Sequence, residues 1–253
     1  IDSETGDISA VVKLPQKLTV PVITNASGNV LYQVGEHLNL YVLNVTFNSI
    51  ECIQAFYTGH SDGSIQVPPI WLQDVLVLPV NVDSNTCELR LMTNEKESLT
   101  LRTAGEAAEL RGIVSKSPRL YGNYLVTMTV NGTVNVFELD SDDEEFQMAA
   151  VAKKELNLPT TQEIFFAAGN GKIWIGTKGI VQYAVVVAKQ KIQDQAVANN
   201  ADFFTGEMSV YEGLLVHQRK RAGSRMVSIS GVNPDTLNEI WRLDLGGGLA
   251  GAP

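Results

Sequence analysis

The sequence predicts an all-β chain built from about five copies of a four-stranded antiparallel module. Three observations predict it. Short runs rich in Val, Ile, Leu and Tyr recur along all 253 residues, separated by clusters of Gly, Asn, Asp and Ser. Sustained apolar periodicity of the helical kind is nearly absent. A nine-residue frame also returns at the two ends of the chain, as DSETGDISA at Asp2–Ala10 and NPDTLNEIW at Asn233–Trp241. The two starts lie 231 positions apart (233 − 2), close to five times about 46.

The strand runs follow in order. Val30–Val34, Leu40–Val45 and Cys52–Tyr57 form the first trio, and Val75–Val80, Cys87–Met92 and Leu99–Arg102 the second. Tyr124–Val130, Thr133–Leu139 and Phe146–Ala152 make the third, and Lys172–Gly176, Ile180–Val187 and Lys191–Val197 the fourth. Leu214–Gln218, Ser224–Ser230 and Glu239–Leu245 close the series. A short apolar piece precedes each trio: PVI at Pro21, PIW at Pro69, PRLY at Pro118, EIFF at Glu163 and EMSVY at Glu207. The modules so defined are 21–66, 67–115, 116–160, 161–205 and 206–250. The best helix candidate is Lys96–Arg111, which has helical composition but carries Gly105.

The pitch repeats in the prolines. Pro21 to Pro69 is 48 residues, Pro69 to Pro118 is 49, and Pro118 to Pro253 is 135, three modules of 45. The frame returns at Asp140–Met148, 138 positions after the first (140 − 2), with Asp143 at the Thr place and Met148 at the Trp place. Physically, a polar first residue and a Thr at the fourth place fix a turn by binding backbone amides, and a fifth-place Gly supplies positive φ. After the turn Trp241, Leu243 and Leu245 share one strand face, and Trp241 is expected to wedge between stacked sheets with truncation costing about 3–5 kcal/mol.

Composition limits function. Apolar residues make up 44% and charged residues 19%, as in a packed globule. A net charge of −9 and a pI near 4.9 argue against a nucleic-acid partner. No apolar run reaches the length of a membrane span, and IDSETGDISA has no signal-peptide pattern. Cys52 and Cys87 read as two separate buried thiols, with a disulfide as the alternative.

The frame resembles the repeat of the quinoprotein (PQQ) family of β-propellers, Ala-x-Asp-x-x-Thr-Gly-x-x-x-Trp. Asp2, Thr5 and Gly6 match, with Ala10 at the Trp place; Asn233, Thr236 and Trp241 match, with Leu237 at the Gly place. The resemblance implies a β-propeller of four-stranded blades with tryptophans docked between blades. Residues 7–14 would then be the outermost strand of an incomplete blade, and about five blades would form part of a larger seven- or eight-bladed ring. A five-bladed ring with a spare strand is the alternative. The non-catalytic relatives, a bacterial outer-membrane assembly lipoprotein and luminal sensor domains, imply an extracytoplasmic, periplasmic or cell-surface protein that binds protein partners.

Catalytic chemistry is not expected. Quinoprotein enzymes carry an adjacent-cysteine disulfide that Cys52 and Cys87 cannot make, and Trp71, Trp174 and Trp241 fall at three different strand positions. The expectation is therefore no catalytic residue, no cofactor and no metal; the alternative is a degenerate quinone-dependent dehydrogenase whose cofactor site lies outside this chain. His37, His60 and His217 are not at ligand spacing, and His60-Ser61-Asp62 are too close in sequence to form a triad. The acidic run Asp140, Asp142, Asp143, Glu144 and Glu145 lacks a calcium-loop pattern, and Gly246–Gly248 leads into no helix. Gln218–Arg225 places four cations in one hairpin, read as a solvated turn with a contact patch for an acidic partner as the sharper reading. Asn25-Ala-Ser27, Asn44-Val-Thr46 and Asn131-Gly-Thr133 fit the glycosylation acceptor pattern. The module openings are mostly apolar, with charges only at Arg119, Glu163 and Glu207.

Overall fold

Short β-branched runs between tight turns satisfy their backbone most directly by pairing with the next run along the chain. The computed structural model describes residues 4–246 apart from 7, 9, 38, 48, 60–62, 96–97, 143–144, 157–162, 200–201 and 222. About 60% of the described residues are in strands, and their one helical element is a 3-10 turn at Val187–Lys189.

The first sheet is β1 (Ile23–Thr24), β2 (Val30–Val34), β3 (Asn39–Val45) and β4 (Ile50–Tyr57), antiparallel and in chain order. The second is β5 (Ile70–Leu72), β6 (Val75–Asn81) and β7 (Thr86–Asn94), with β8 (Leu101–Thr103) and β9 (Ala108–Arg111) both paired to β7. Then come β10 (Arg119–Tyr121), β11 (Tyr124–Met128), β12 (Thr133–Asp142) and β13 (Glu145–Glu155). β14 (Phe165–Gly169), β15 (Lys172–Gly176), β16 (Gly179–Val186) and β17 (Lys191–Asn199) repeat the order. A parallel pairing at Lys153 and Lys191 joins these two sets into one eight-stranded sheet. In the last sheet β18 (Asp202–Phe204) and β19 (Ser209–Tyr211) both pair with β20 (Leu214–Arg221), and β21 (Val227–Val232) and β22 (Glu239–Leu245) follow.

The chain divides into two compact units, Ile1–Ser117 with Leu139–Ala149, and Pro118–Glu138 with Ala150–Pro253. In the first, β2, β3 and β6 supply a core around Tyr32, Leu40, Leu76 and Leu78. All seven residues of β6 are buried, whereas none of β4 is, its residues being half-buried or exposed. The second unit has one core around Val126, Phe166 and Ile175 and another around Phe165, Trp174, Phe204 and Leu237.

Three sequence expectations are corrected. Lys96–Arg111 forms no helix in its described part, because Leu101 and Leu110 are buried as members of β8 and β9. Gly105 sits between them against the start of β13: a Cβ added there would stand 1.9 Å from the Phe146 carbonyl oxygen. Phe146 N–H also donates to the Ala104 carbonyl at 2.9 Å. Gly105→Ala is expected to lower stability by about 1–3 kcal/mol in urea unfolding, since backbone must move to admit the methyl; an unchanged midpoint would show that the contact yields freely.

The strand expected at residues 7–14 is not formed by the described residues there. The chain instead runs beside the β2–β3 turn, through a bridge of Leu18 with Gly35 and a bond from Glu36 N–H to Lys17 O. Trp241 is the third correction. It is 39% exposed, and its indole lies over Gly231, its cross-strand partner, where a Cβ would stand 2.3 Å from Nε1.

The turn before Trp241 behaves as its composition implies. Asn233 Oδ1 accepts the amides of Asp235 and Thr236 at 2.8 and 2.9 Å. The fifth place of the frame is left-handed at both ends of the chain, Gly6 at φ 77° and Leu237 at φ 59°. Leu237 has no glycine-like freedom, and burial of its side chain in the second unit's core offsets the strain.

Candidate functional site

The charged residues of the module openings lie on or just before the opening strands of successive strand sets in the second unit. Arg119 begins β10, Phe166 is on β14, and Glu207 precedes β19. β14 packs against both β10 and β19. Arg119 Nη2 pairs with Glu207 Oε2, and the guanidinium carbon lies 5.9 Å from the centre of the Phe166 ring. The carboxylate at this point is committed to a cation, and the pair ties two openings together across a third. Glu163 is exposed.

A second arrangement, absent from the sequence reading, lies in the first unit. The β1–β2 turn, the β5–β6 turn and the end of β7 enclose a cleft of about 730 Å³ lined by Thr24, Asn25, Ala26, Ser27, Trp71, Gln73, Asp74, Thr93 and Asn94. The β1–β2 turn is held by its own side chains. Asn25 Nδ2 donates to Ser27 Oγ at 3.1 Å and to Asn29 Oδ1 at 2.8 Å, and Val30 N–H donates to Asn25 Oδ1 at 3.1 Å. Gln73 turns the β5–β6 connection at φ 54°, and Thr93 Oγ1 donates to the Asp74 carbonyl at 3.2 Å.

Behind these walls Tyr32 and Trp71 meet edge-on, ring centres 5.4 Å apart at 70°. Burial raises the Tyr32 pKa, offset in part by the neighbouring Asn94 side chain. The Tyr32–Asn94 approach falls short of a well-formed hydrogen bond, and Tyr32 Oη, Trp71 Nε1 and Asn94 Oδ1 are shielded from solvent without a partner. Two turns and a strand end, distant in sequence, build this site, so no local motif could have announced it.

The other sequence candidates are dispersed. His37 is exposed, His217 is buried in β20, and His60, Ser61 and Asp62 lie outside the described residues. Cys52 and Cys87 are both free; Cys87 is buried, its thiol pushed up to about 12 chiefly by desolvation, but Cys52 is exposed, which corrects the expectation of two buried thiols. Asp140 and Glu145 are exposed on β12 and β13; Asp143, Glu144 and the Asp142 side chain lie outside the description, as do Gly247 and Gly248. Among the described residues no group of three or more His, Cys, Asp or Glu is placed to hold a metal.

The cations of Gln218–Arg225 do not form one patch. Lys220, Arg221 and Arg225 are exposed, whereas Arg219 is buried and paired with Glu239, which also accepts a bond from Ser230 Oγ at 3.0 Å. Of the glycosylation patterns, Asn25 has its amide engaged in the turn, Asn44 lies opposite Val30 in β3, and Asn131 is exposed beyond β11. No described helix is long and apolar enough to cross a membrane.

No protein-family model matches the sequence, and no curated protein matches it. Among solved structures, the chain is similar to a protein from Lactobacillus plantarum known from its crystal structure. The TM-score is 0.65 at 11% identity, covering 92% of this chain and 72% of that one. That likeness concerns fold alone and suggests a β-propeller-type fold.

Proposed function

We propose that this chain is a non-catalytic β-propeller portion, with blades of the quinoprotein type, that serves as a protein-binding or scaffold module. Five successive strand sets, each folding back on itself from an apolar opening to an outer strand, support reading each set as a blade. A setting outside the cytoplasm and continuation into a larger ring belong to the same reading and rest on the family resemblance.

The observation that carries the binding reading is β22. It pairs with β21 alone among the described strands, and Ile240, Trp241 and Leu243 on it are 57%, 39% and 53% exposed. Large apolar side chains beside an open strand edge suit a partner that adds a strand of its own. The test compares wild type with an Ile240→Lys, Leu243→Lys double variant, each immobilised and challenged with extract from the native source. The reading expects a defined partner retained by the wild type and at least tenfold less by the variant, about 1.4 kcal/mol or more of lost affinity. Equal retention would reject β22 as the contact. A rise in melting temperature on adding quinone with Ca²⁺, or alcohol oxidation by that mixture, would replace the binding reading with the dehydrogenase one.

A further inference from the structure

We propose that the cleft between the β1–β2 turn, the β5–β6 turn and the end of β7 binds a neutral carbohydrate of about disaccharide size, an activity separate from partner binding at β22. Its volume of about 730 Å³ lies inside the roughly 300–1,000 Å³ range of small-molecule sites. The chemistry of its walls selects the ligand. Three hydroxyl side chains (Thr24, Ser27, Thr93) and three amides (Asn25, Gln73, Asn94) face it, with Asp74 as the single ionisable group among the described residues. Among the described residues no cation lines it, in a chain of net charge −9, so the described walls favour a neutral ligand over phosphate or carboxylate. A sugar hydroxyl both donates and accepts, as amides and a carboxylate require of a partner. The half-buried Trp71 adds the one aromatic wall, suited to the C–H face of a pyranose.

The unsatisfied atoms point to a ligand independently of the cavity. Trp71 Nε1 is a donor without an acceptor, and Asn94 Oδ1 an acceptor without a donor; both side chains line the cleft. Tyr32 Oη behind them is in the same condition. Shielded polar atoms left unpaired are costly and uncommon, and here three gather at one place. A bound hydroxyl group that accepts from the indole and donates to the amide would satisfy two of them at once. The surroundings are already set for it: the Asn25–Ser27–Asn29 network fixes one wall, the Thr93–Asp74 bond another, and the Tyr32 ring holds Trp71 edge-on. Preorganisation of this kind spares a ligand the ordering cost.

Titration of the whole chain with maltose, cellobiose, lactose and N,N′-diacetylchitobiose, followed by saturation-transfer NMR, tests the proposal. Saturable binding of at least one sugar is expected. Trp71→Phe keeps a ring against Tyr32 but deletes the indole N–H, and Asn94→Leu keeps the volume but deletes the acceptor; each should weaken binding about tenfold or more. Melting curves of both variants distinguish loss of the site from loss of the fold. Failure of all four sugars to saturate would overturn the proposal. So would affinity unchanged in both well-folded variants, or displacement of the sugar by inorganic phosphate at equal concentration.

Discussion

Trp174→Ala is expected to lower the unfolding free energy by about 3–5 kcal/mol, the range for truncating a large buried aromatic. Trp174 is 1% exposed on β15, in the core that also holds Phe204 and Leu237. Its Nε1 donates to the Pro234 carbonyl at 3.0 Å, and Gln182 Nε2 donates to the same oxygen at 3.0 Å. Lys172 pairs with Asp235 in the same turn. Removing the indole opens a cavity and also releases one of the two side-chain donors on Pro234, so Trp174→Phe should recover most but not all of the loss. Trp241→Ala should cost less, about 1–2 kcal/mol, because its ring is 39% exposed and lies on a glycine instead of filling a core. Urea unfolding monitored by circular dichroism gives all three values. Equal losses for Trp174→Ala and Trp241→Ala would refute the assignment of the anchoring indole to Trp174.

Below neutral pH the protein should lose stability because of His217, by roughly 3 kcal/mol on reaching pH 4. The imidazole is fully buried, its centre 4.9 Å from that of the Phe204 ring, and neither nitrogen has a hydrogen-bond partner. Desolvation, and then the charge of Arg219 two residues on, push its pKa from 6.5 down to about 4. The unfolded chain therefore binds a proton near pH 6.5 that the folded chain refuses until about pH 4. The contribution is intact above pH 6.5, declines as pH falls through that window, and levels off once the folded imidazole protonates as well. His217→Phe, which keeps an aromatic ring beside Phe204, should abolish this part of the slope. Parallel stability–pH curves for wild type and variant between pH 4 and about 7 would show that another group is responsible.

The strands were legible because strand formation here is local. Leu40–Val45 and Lys172–Gly176 alternate or run apolar between turn residues, and β3 and β15 occupy nearly those bounds. Lys96–Arg111 was misleading because Glu, Ala, Leu and Arg favour helices in isolation, whereas burial of Leu101 and Leu110 against β7 decides their state. Trp241 was misassigned for a related reason. The frame marks where an indole falls along the repeat, but whether a neighbouring turn covers it depends on contacts such as Trp174 with Pro234, 60 residues away. The cleft was invisible altogether, since Asn25, Trp71 and Asn94 carry no shared spacing and become neighbours only where two separate sheets pack side chain to side chain.

The close contact at Gly105 has a consequence for synthesis on the ribosome. Its partner, the Phe146 backbone, is made about 40 residues after Ala104, a delay of roughly 2–8 s at 5–20 residues per second. Within that interval the second sheet's last strand is made, at Arg111, but the bond from Phe146 N–H to the Ala104 carbonyl is still missing. Closing the second sheet against the start of β13 therefore waits on later synthesis, and the missing side chain of Gly105 is what lets the Phe146 backbone settle there when it arrives.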